Sequence, residues 1–304
     1  MGKRIIALLL FACVLLAGCA GMQQGGTSET KSLERKELNE YSWNELTRIS
    51  GEIGQAPSDE EARAVAAKYG LLDADGSLTR QTKQIVLNGT RALDVRLAGI
   101  RHDDRSDGAG KAGLTFMSVG GLALRPMNDA QTIDGGWEAS ALRAWLAGEG
   151  KAMLEPELQA ALVPVNKLTN NVGITDDPES VSPTADQLWV FAAHEVCGDI
   201  FWDADEFFYQ RGSEDVDGLV NSEGPQYEAF AQAGVTQTSD PTGMLSLANS
   251  TGASPWWYRT PYPFDWQIDN TGSNGFFYQV RESGYPESLG SPEVPASVVF
   301  GFCV

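Results

Sequence analysis

Apolar side chains recur at three- and four-residue intervals in two stretches of the chain. Trp43, Leu46, Ile49 and Ile53 form one stripe, and Ala62, Val65, Ala66 and Tyr69 form another, the spacing of helices with one buried face. Ser42 with Glu45, and Ser58 with Glu61, stand at their starts, spaced so that hydroxyl and carboxylate satisfy orphan amides of a first helical turn. Gly70 stops the second helix. From Lys83 the period shortens: KQIVL, then Asn88-Gly89, then TRALDVRLAGI, a hairpin signal because Asn-Gly supplies two positive φ angles. LTFMS at 114–118 predicts a third strand. Residues 137–146 predict a helix with Trp137, Ala141 and Trp145 near one face, and Pro156 opens a second, PELQAAL. Further strands are expected at 188–192, 276–280 and 297–303. No regular β-α alternation and no internal repeat are present. The expected fold is therefore α+β, a mixed or antiparallel sheet with flanking helices over 81–304, preceded by a small helical region over 33–80.

The start of the chain follows a different pattern. Lys3 and Arg4 precede the apolar run 5–16, IIALLLFACVLL, long enough for the core of an export signal and short of the ~20 residues a membrane span requires. The run ends in Leu16-Ala17-Gly18-Cys19, which resembles a bacterial lipobox: small residues suit the cleaving peptidase, and the thiol of Cys19 takes a diacylglycerol. The expectation is a signal peptide over 1–18, lipidation at Cys19, and a Gly-, Gln- and Ser-rich tether over 19–32. The protein would then sit on the cell membrane or outer membrane, held by acyl chains and facing away from the cytoplasm.

Composition narrows the partners. With 22 Lys+Arg against 41 Asp+Glu and a formal net charge of -19, no nucleic-acid partner recognised through a basic face is expected. The 42% hydrophobic content is that of a globular chain, large enough to need neither disulfides nor a metal for its core. Cys197 and Cys303 lie at the ends of apolar, strand-like runs. Two buried thiols are favoured there over a disulfide, which export would permit.

Candidate chemistry is sparse. Gly108-Ala109-Gly110-Lys111-Ala112-Gly113 has the G-x-G-x-x-G spacing of a dinucleotide fingerprint, but HDDRSD precedes it and a strand follows. A glycine-rich surface loop is the better account. His194-Glu195 begins like a zinc-protease motif, yet position 198 is Gly198; His102 and His194 are taken as structural. Asp103, Asp104 and Asp107 crowd one loop and are candidate ligands for a cation such as calcium, whereas Asp73 and Asp75 fall in a solvated turn. The most distinctive stretch is 197–240, with ten acids against Arg211 and interleaved aromatics. Within it Trp202 and Phe208 can stack on sugar rings while Asp203, Asp205 and Glu206 bind hydroxyls or calcium. The competing account is a loop whose aromatics cover the core and whose acids keep it soluble.

A set of signatures carries a resemblance. They are Gly99-Ile100-Arg101-His102-Asp103-Asp104, Leu114-Thr115-Phe116-Met117, Gly135-Gly136-Trp137-Glu138-Ala139-Ser140, Arg143-Ala144-Trp145-Leu146, Pro164-Val165-Asn166-Lys167, Trp256-Trp257-Tyr258-Arg259-Thr260-Pro261, and Phe300-Gly301-Phe302-Cys303-Val304. In order and spacing they resemble the bacterial domain-of-unknown-function family numbered 6273, over residues 83–304. The resemblance implies an exported or surface-anchored bacterial protein and no particular activity. The final third is also similar to the ending of C-type-lectin-like modules, although no E-P-N or W-N-D calcium triplet occurs. Trp137, Trp145, Trp256, Trp257, Arg259 and Pro261 are expected to specify fold. On an extended strand Trp256 and Trp257 point to opposite faces, so one is expected in the core and the other nearer the surface. Arg259 is expected to pair with a buried carboxylate. Three readings follow: a non-catalytic module binding an extracellular glycan or protein, an exported enzyme (a carboxylate hydrolase or a lectin-fold oxidase), and an envelope-structural protein.

Overall fold

The computed structural model describes residues 33–175, 177–200, 218–248, 254–263 and 275–304. The two capped helices are present. In α1 (Trp43–Gly54) the Ser42 hydroxyl accepts the Glu45 amide and the Glu45 carboxylate accepts the Ser42 amide, and Trp43, Leu46, Ile49 and Ile53 are all buried. In α2 (Asp59–Lys68) Ser58 accepts the Glu61 amide, and Ala62 and Ala66 face inward. The hairpin of β1 (Lys83–Leu87) and β2 (Arg91–Ile100) turns through Asn88 at φ 50° and Gly89 at φ 72°, conformations that Asn and Gly adopt most readily.

Among the described residues, two five-stranded sheets and one hairpin form the β structure. The first sheet runs β1, β2, β3 (Leu114–Ser118), β12 (Phe300–Cys303) and β7 (Trp189–Val190), every neighbour antiparallel. The second runs β10 (Ser288–Gly290), β9 (Phe277–Val280), β8 (Trp256–Pro261), β11 (Ala296–Ser297) and β4 (Leu124–Arg125), with the β8 and β11 pair parallel. The hairpin joins β5 (Val165–Asn170) to β6 (Val181–Asp186). Three short helices connect these strands: α3 (Ala141–Trp145), α4 (Pro156–Ala161) and α5 (Ala193–Cys197). Two more follow, α6 (Glu228–Gln232) and α7 (Pro241–Leu247). The fold is thus α+β with mixed and antiparallel sheets.

Trp43 of α1 meets Phe116 of β3 at 5.5 Å and Phe302 of β12 at 5.7 Å, both edge to face, an arrangement that adds to plain area burial. The backbones come equally close. A Cβ on Gly113 would lie 2.0 Å from the Ser50 carbonyl oxygen of α1, and the Ser50 hydroxyl accepts the Leu114 amide at 3.0 Å while donating to the Val304 carbonyl. The helical region and the strands therefore share one core, and Glu34–Val304 form a single unit.

Several local expectations are corrected. The helix expected over 137–146 begins only after the Ser140 N-cap, because Gly135 and Gly136 take positive φ and fold Trp137 into a turn. Trp137 is fully buried, whereas Trp145 is half-exposed and lies under the Arg125 guanidinium at 4.7 Å. The strand expected over 297–303 splits between the two sheets as β11 and β12. Cys197 ends a helix rather than a strand. Trp256 and Trp257 are both fully buried, because β8 has packing on each face; Trp257 Nε1 donates to the Arg125 carbonyl at 2.8 Å.

The close approach of α1 to β3 gives opposite expectations for two glycines. Gly51 is exposed on α1 with open space around its would-be Cβ, so Gly51→Ala stabilises the fold by about 0.5–1 kcal/mol. Gly113→Ala drives a methyl into the Ser50 backbone and costs about 3 kcal/mol or more. Urea unfolding midpoints of the two variants check both signs.

Candidate functional site

Arg259 lies in the middle of β8, fully buried. Its Nε donates to Thr169 Oγ1 at 2.8 Å, and Nη1 to the Val190 carbonyl at 3.1 Å and Glu195 Oε2 at 2.6 Å. Nη2 donates to the Leu168 carbonyl at 3.0 Å and the Glu223 carbonyl at 3.2 Å. All five guanidinium N–H groups are used, the condition under which a buried arginine is tolerated. One side chain thereby ties β8 to β5, β7, α5 and the segment carrying Glu223.

A second cation continues the network. Lys167 Nζ, on β5, contacts Glu195 Oε1 and Asp103 Oδ1, both at 2.6 Å, and the Tyr227 hydroxyl at 2.7 Å. Lys167 also lies 4.7 Å over the Trp189 ring. Asp103 takes the Tyr227 hydroxyl at 2.7 Å on Oδ1 and the Thr115 hydroxyl at 2.6 Å on Oδ2. Cys303 Sγ sits 3.5 Å from the same Oδ2. Burial works to raise the Asp103 carboxyl, but the charges and hydrogen bonds of Lys167 and His102 together outweigh it and hold the group well below the usual range. Burial is likewise overcome at Glu195 by Arg259 and Lys167, which lower it. Two cations thus face two anions.

Glu223 is the third carboxyl of the cluster and behaves differently. Its Oε1 accepts the Asn170 amide at 2.8 Å and its Oε2 shares a hydrogen bond with Thr260 Oγ1. Burial pushes it up to about 7, only partly opposed by Thr260 and Arg259. The other charges already balance, so a proton on Glu223 leaves the buried cluster neutral.

The network holds the ends of two stretches of chain. Glu195 caps α5 by accepting the Ala192 amide at 3.0 Å, and its carbonyl takes the Tyr227 amide at 2.8 Å. Beyond α5 the chain reaches Ile200, whose amide and carbonyl pair with the Asn221 side-chain amide at 2.9 and 3.1 Å. Gln226 Nε2 bonds the Val196 carbonyl at 2.7 Å. The described residues on either side of 201–217 are therefore held against each other. After Thr260, the Tyr262 amide bonds the Phe276 carbonyl at 2.8 Å, which joins the ends of 264–274 in the same way.

Trp202, Asp203, Asp205, Glu206 and Phe208 lie outside the described residues, as does Cys19. The other candidates are placed. Asp103, Asp104 and Asp107 are not brought together: Asp103 is buried, Asp104 is exposed beside Lys111 at 3.3 Å, and Asp107 pairs with Arg105 at 2.5 Å. Among the described residues no three His, Cys, Asp or Glu side chains converge to hold a metal ion. His102 stacks on Tyr227 with ring centroids 3.7 Å apart. His194 Nδ1 contacts the Gly224 carbonyl. Trp137 Nε1 and Arg143 Nε share the Asp186 carboxylate at 2.9 and 2.7 Å, and Pro261 pairs with Phe277 in the second sheet. Both thiols are buried and unbridged. Burial pushes Cys197 up to about 12, and raises Cys303 with help from Asp103.

The sequence marks Glu195 only beside His194 in an incomplete zinc-protease motif, Glu223 and Tyr227 only within the acidic and aromatic stretch 197–240, and Lys167 only as part of the P-V-N-K signature; none is expected there as a buried network member. The available signal was a charge inside an apolar run: Lys167 in VNKLTN, Glu195 in FAAHEVC and Arg259 in WWYRTP.

The profile of the family described as Domain of unknown function (DUF6273) matches residues 114–284. Neither the curated proteins nor the solved structures contain a match to the chain.

The raised Glu223 carboxyl fixes a pH dependence. Between its ordinary 4.5 and about 7, the unfolded chain has released a proton that the folded protein keeps, so stability falls as pH rises through that window, by about 3 kcal/mol. Asp103 and Glu195, held low, act oppositely: their contribution is full above their unfolded values and is lost as pH falls from there toward their lowered folded values. Glu223→Gln is expected to remove the neutral-side decline and keep the acid-side one. Urea unfolding free energies across pH 3–8 check this; a neutral-side decline unchanged in the variant contradicts it.

Proposed function

The chain belongs to the DUF6273 family, and on that premise we propose that it is a lipid-anchored bacterial surface protein whose C-terminal domain binds an extracellular glycan without catalysing a reaction. The observation that carries this reading is the shared base of 201–217. Ile200 and Asn221 hold its two ends together, and Glu195 and Glu223 join both sides to Arg259. Trp202 and Phe208, with Asp203, Asp205 and Glu206 between them in sequence, fall in the stretch between these two joined residues. Binding residues carried on segments that a rigid scaffold positions are a common arrangement.

The state of the buried cluster supports binding over catalysis. Asp103, Lys167, Glu195 and Tyr227 spend their hydrogen bonds on one another and are inaccessible. The thiol chemistry of a lectin-fold oxidase gains no support from two buried cysteines with raised pKa. The similarity to C-type-lectin-like modules is supported by β8 carrying the two tryptophans and by β9 and β10 following it in the same sheet. Surface attachment rests on the lipobox-like Leu16-Ala17-Gly18-Cys19; no helix among the described residues is long and apolar enough to cross a membrane.

Two measurements test the reading. The soluble chain from Leu33 onward, on a glycan array with calcium and again with chelator, is expected to bind a restricted set of glycans. Replacing Trp202 and Phe208 together by Ala should lower that binding at least about tenfold with an unchanged melting temperature. Parallel loss of binding and stability would assign these aromatics to the core, and silence on the array would favour a protein partner. Separately, Cys19→Ser should abolish incorporation of a fatty-acid label and release the protein from the membrane fraction.

A further inference from the structure

A cleft of about 550 Å³ is lined by Asp75 and residues 77–80, by Arg96 and Leu97 of β2, by α6 and by the end of α7. That volume suits a small ligand. Its floor is apolar, with Leu78, Leu97 and Leu247 buried. Its charge runs against that of the whole protein: acids outnumber bases 41 to 22, yet two arginines line this cleft.

Arg96 Nη1 donates to the Ser246 carbonyl at 2.8 Å, and Nη2 approaches the Arg80 carbonyl at 3.5 Å. Neither Arg80 nor Arg96 has an ion-pair partner among the described residues, whereas neighbouring Arg63 is taken by Glu228 at 2.9 Å and Arg101 by Asp59 at 3.4 Å. Burial, and then the charge of Arg80, pull the Arg96 guanidinium below its ordinary value. The carboxylate lining the cleft, Asp75, is exposed and accepts the Ser77 amide at 3.0 Å and the Ser77 hydroxyl at 2.6 Å on one oxygen. Two like charges facing one cavity, one of them partly desolvated, cost free energy that an anion between them recovers.

We propose that this cleft binds a small organic anion, its carboxylate, phosphate or sulfate group held by Arg80 and Arg96 and its body lying against Leu97 and Leu247. Ser77, Thr79 and Gln232 complete the lining. The site is separate from the 201–217 base and stands or falls independently of the glycan reading.

Isothermal titration of the full-length protein in a neutral detergent tests it, with glucuronate, glucose 6-phosphate and glucose 6-sulfate as probes and glucose as the uncharged control. At least one anion should bind saturably and glucose should not, with affinity falling as salt is raised. Arg80 is exposed, so Arg80→Gln should keep the wild-type melting temperature and weaken binding at least about tenfold. Arg96→Gln should weaken it at least as much. The relative affinities of the three probes identify the preferred oxyanion. Absence of saturable binding by all three anions overturns the proposal, and so does wild-type affinity in Arg80→Gln.

Discussion

A buried guanidinium has five N–H groups, and each must find an acceptor or carry the cost of an unsatisfied donor in a low-dielectric interior. Arg259 meets that constraint by drawing its acceptors from four separate parts of the chain: Leu168 and Thr169, Val190, Glu195, and Glu223. None of these is close to it in sequence. Their convergence fixes how the second sheet sits against the β5–β6 hairpin and the α5 region, and much of the remaining architecture follows from it.

The ionic arrangement around Arg259 is better understood as specifying structure than as a large source of stability. Desolvating Arg259, Lys167, Glu195 and Asp103 offsets much of their mutual attraction. Removing any one of them, however, would strand a buried charge, so alternative packings of the same segments are strongly disfavoured. Glu223 fits this logic because its protonated form keeps the cluster electrically balanced while its oxygens hold the Asn170 amide and the Thr260 hydroxyl. What the cluster positions is the exit and return of 201–217 and of 264–274.

Local signals in the sequence translated well into structure. The Ser42–Glu45 box, the Asn88-Gly89 turn and the inward stripe of α1 all rest on short-range physics, and all are present. The pairing of Arg259 with a carboxylate was also legible, since a lone cation in WWYRTP demands a counter-charge. Features set by distant contacts were not. The β5–β6 hairpin encloses a connection of 171–180 without an Asn-Gly turn. Trp256 and Trp257 share burial because packing on both faces of β8 overrides the alternation a half-buried strand would show. Asp103 stood next to Asp104 as one more loop acid, and only the arrival of Lys167 from β5 turns it inward. Glu223 was one of ten acids in 197–240, with nothing local to mark it as buried.

The central claim, that one arginine organises the bases of both segments, is tested most directly by amide hydrogen exchange in Arg259→Lys, which keeps the charge but cannot supply the five-donor fork. Because β5, α5 and the Glu223 region depend on the same side chain, protection should fall together at Asn170, Ala192, Ala193 and Tyr227, while the amides of β1 and β2 remain protected. Loss confined to β8, with α5 and the Glu223 region protected as in the wild type, would contradict the account.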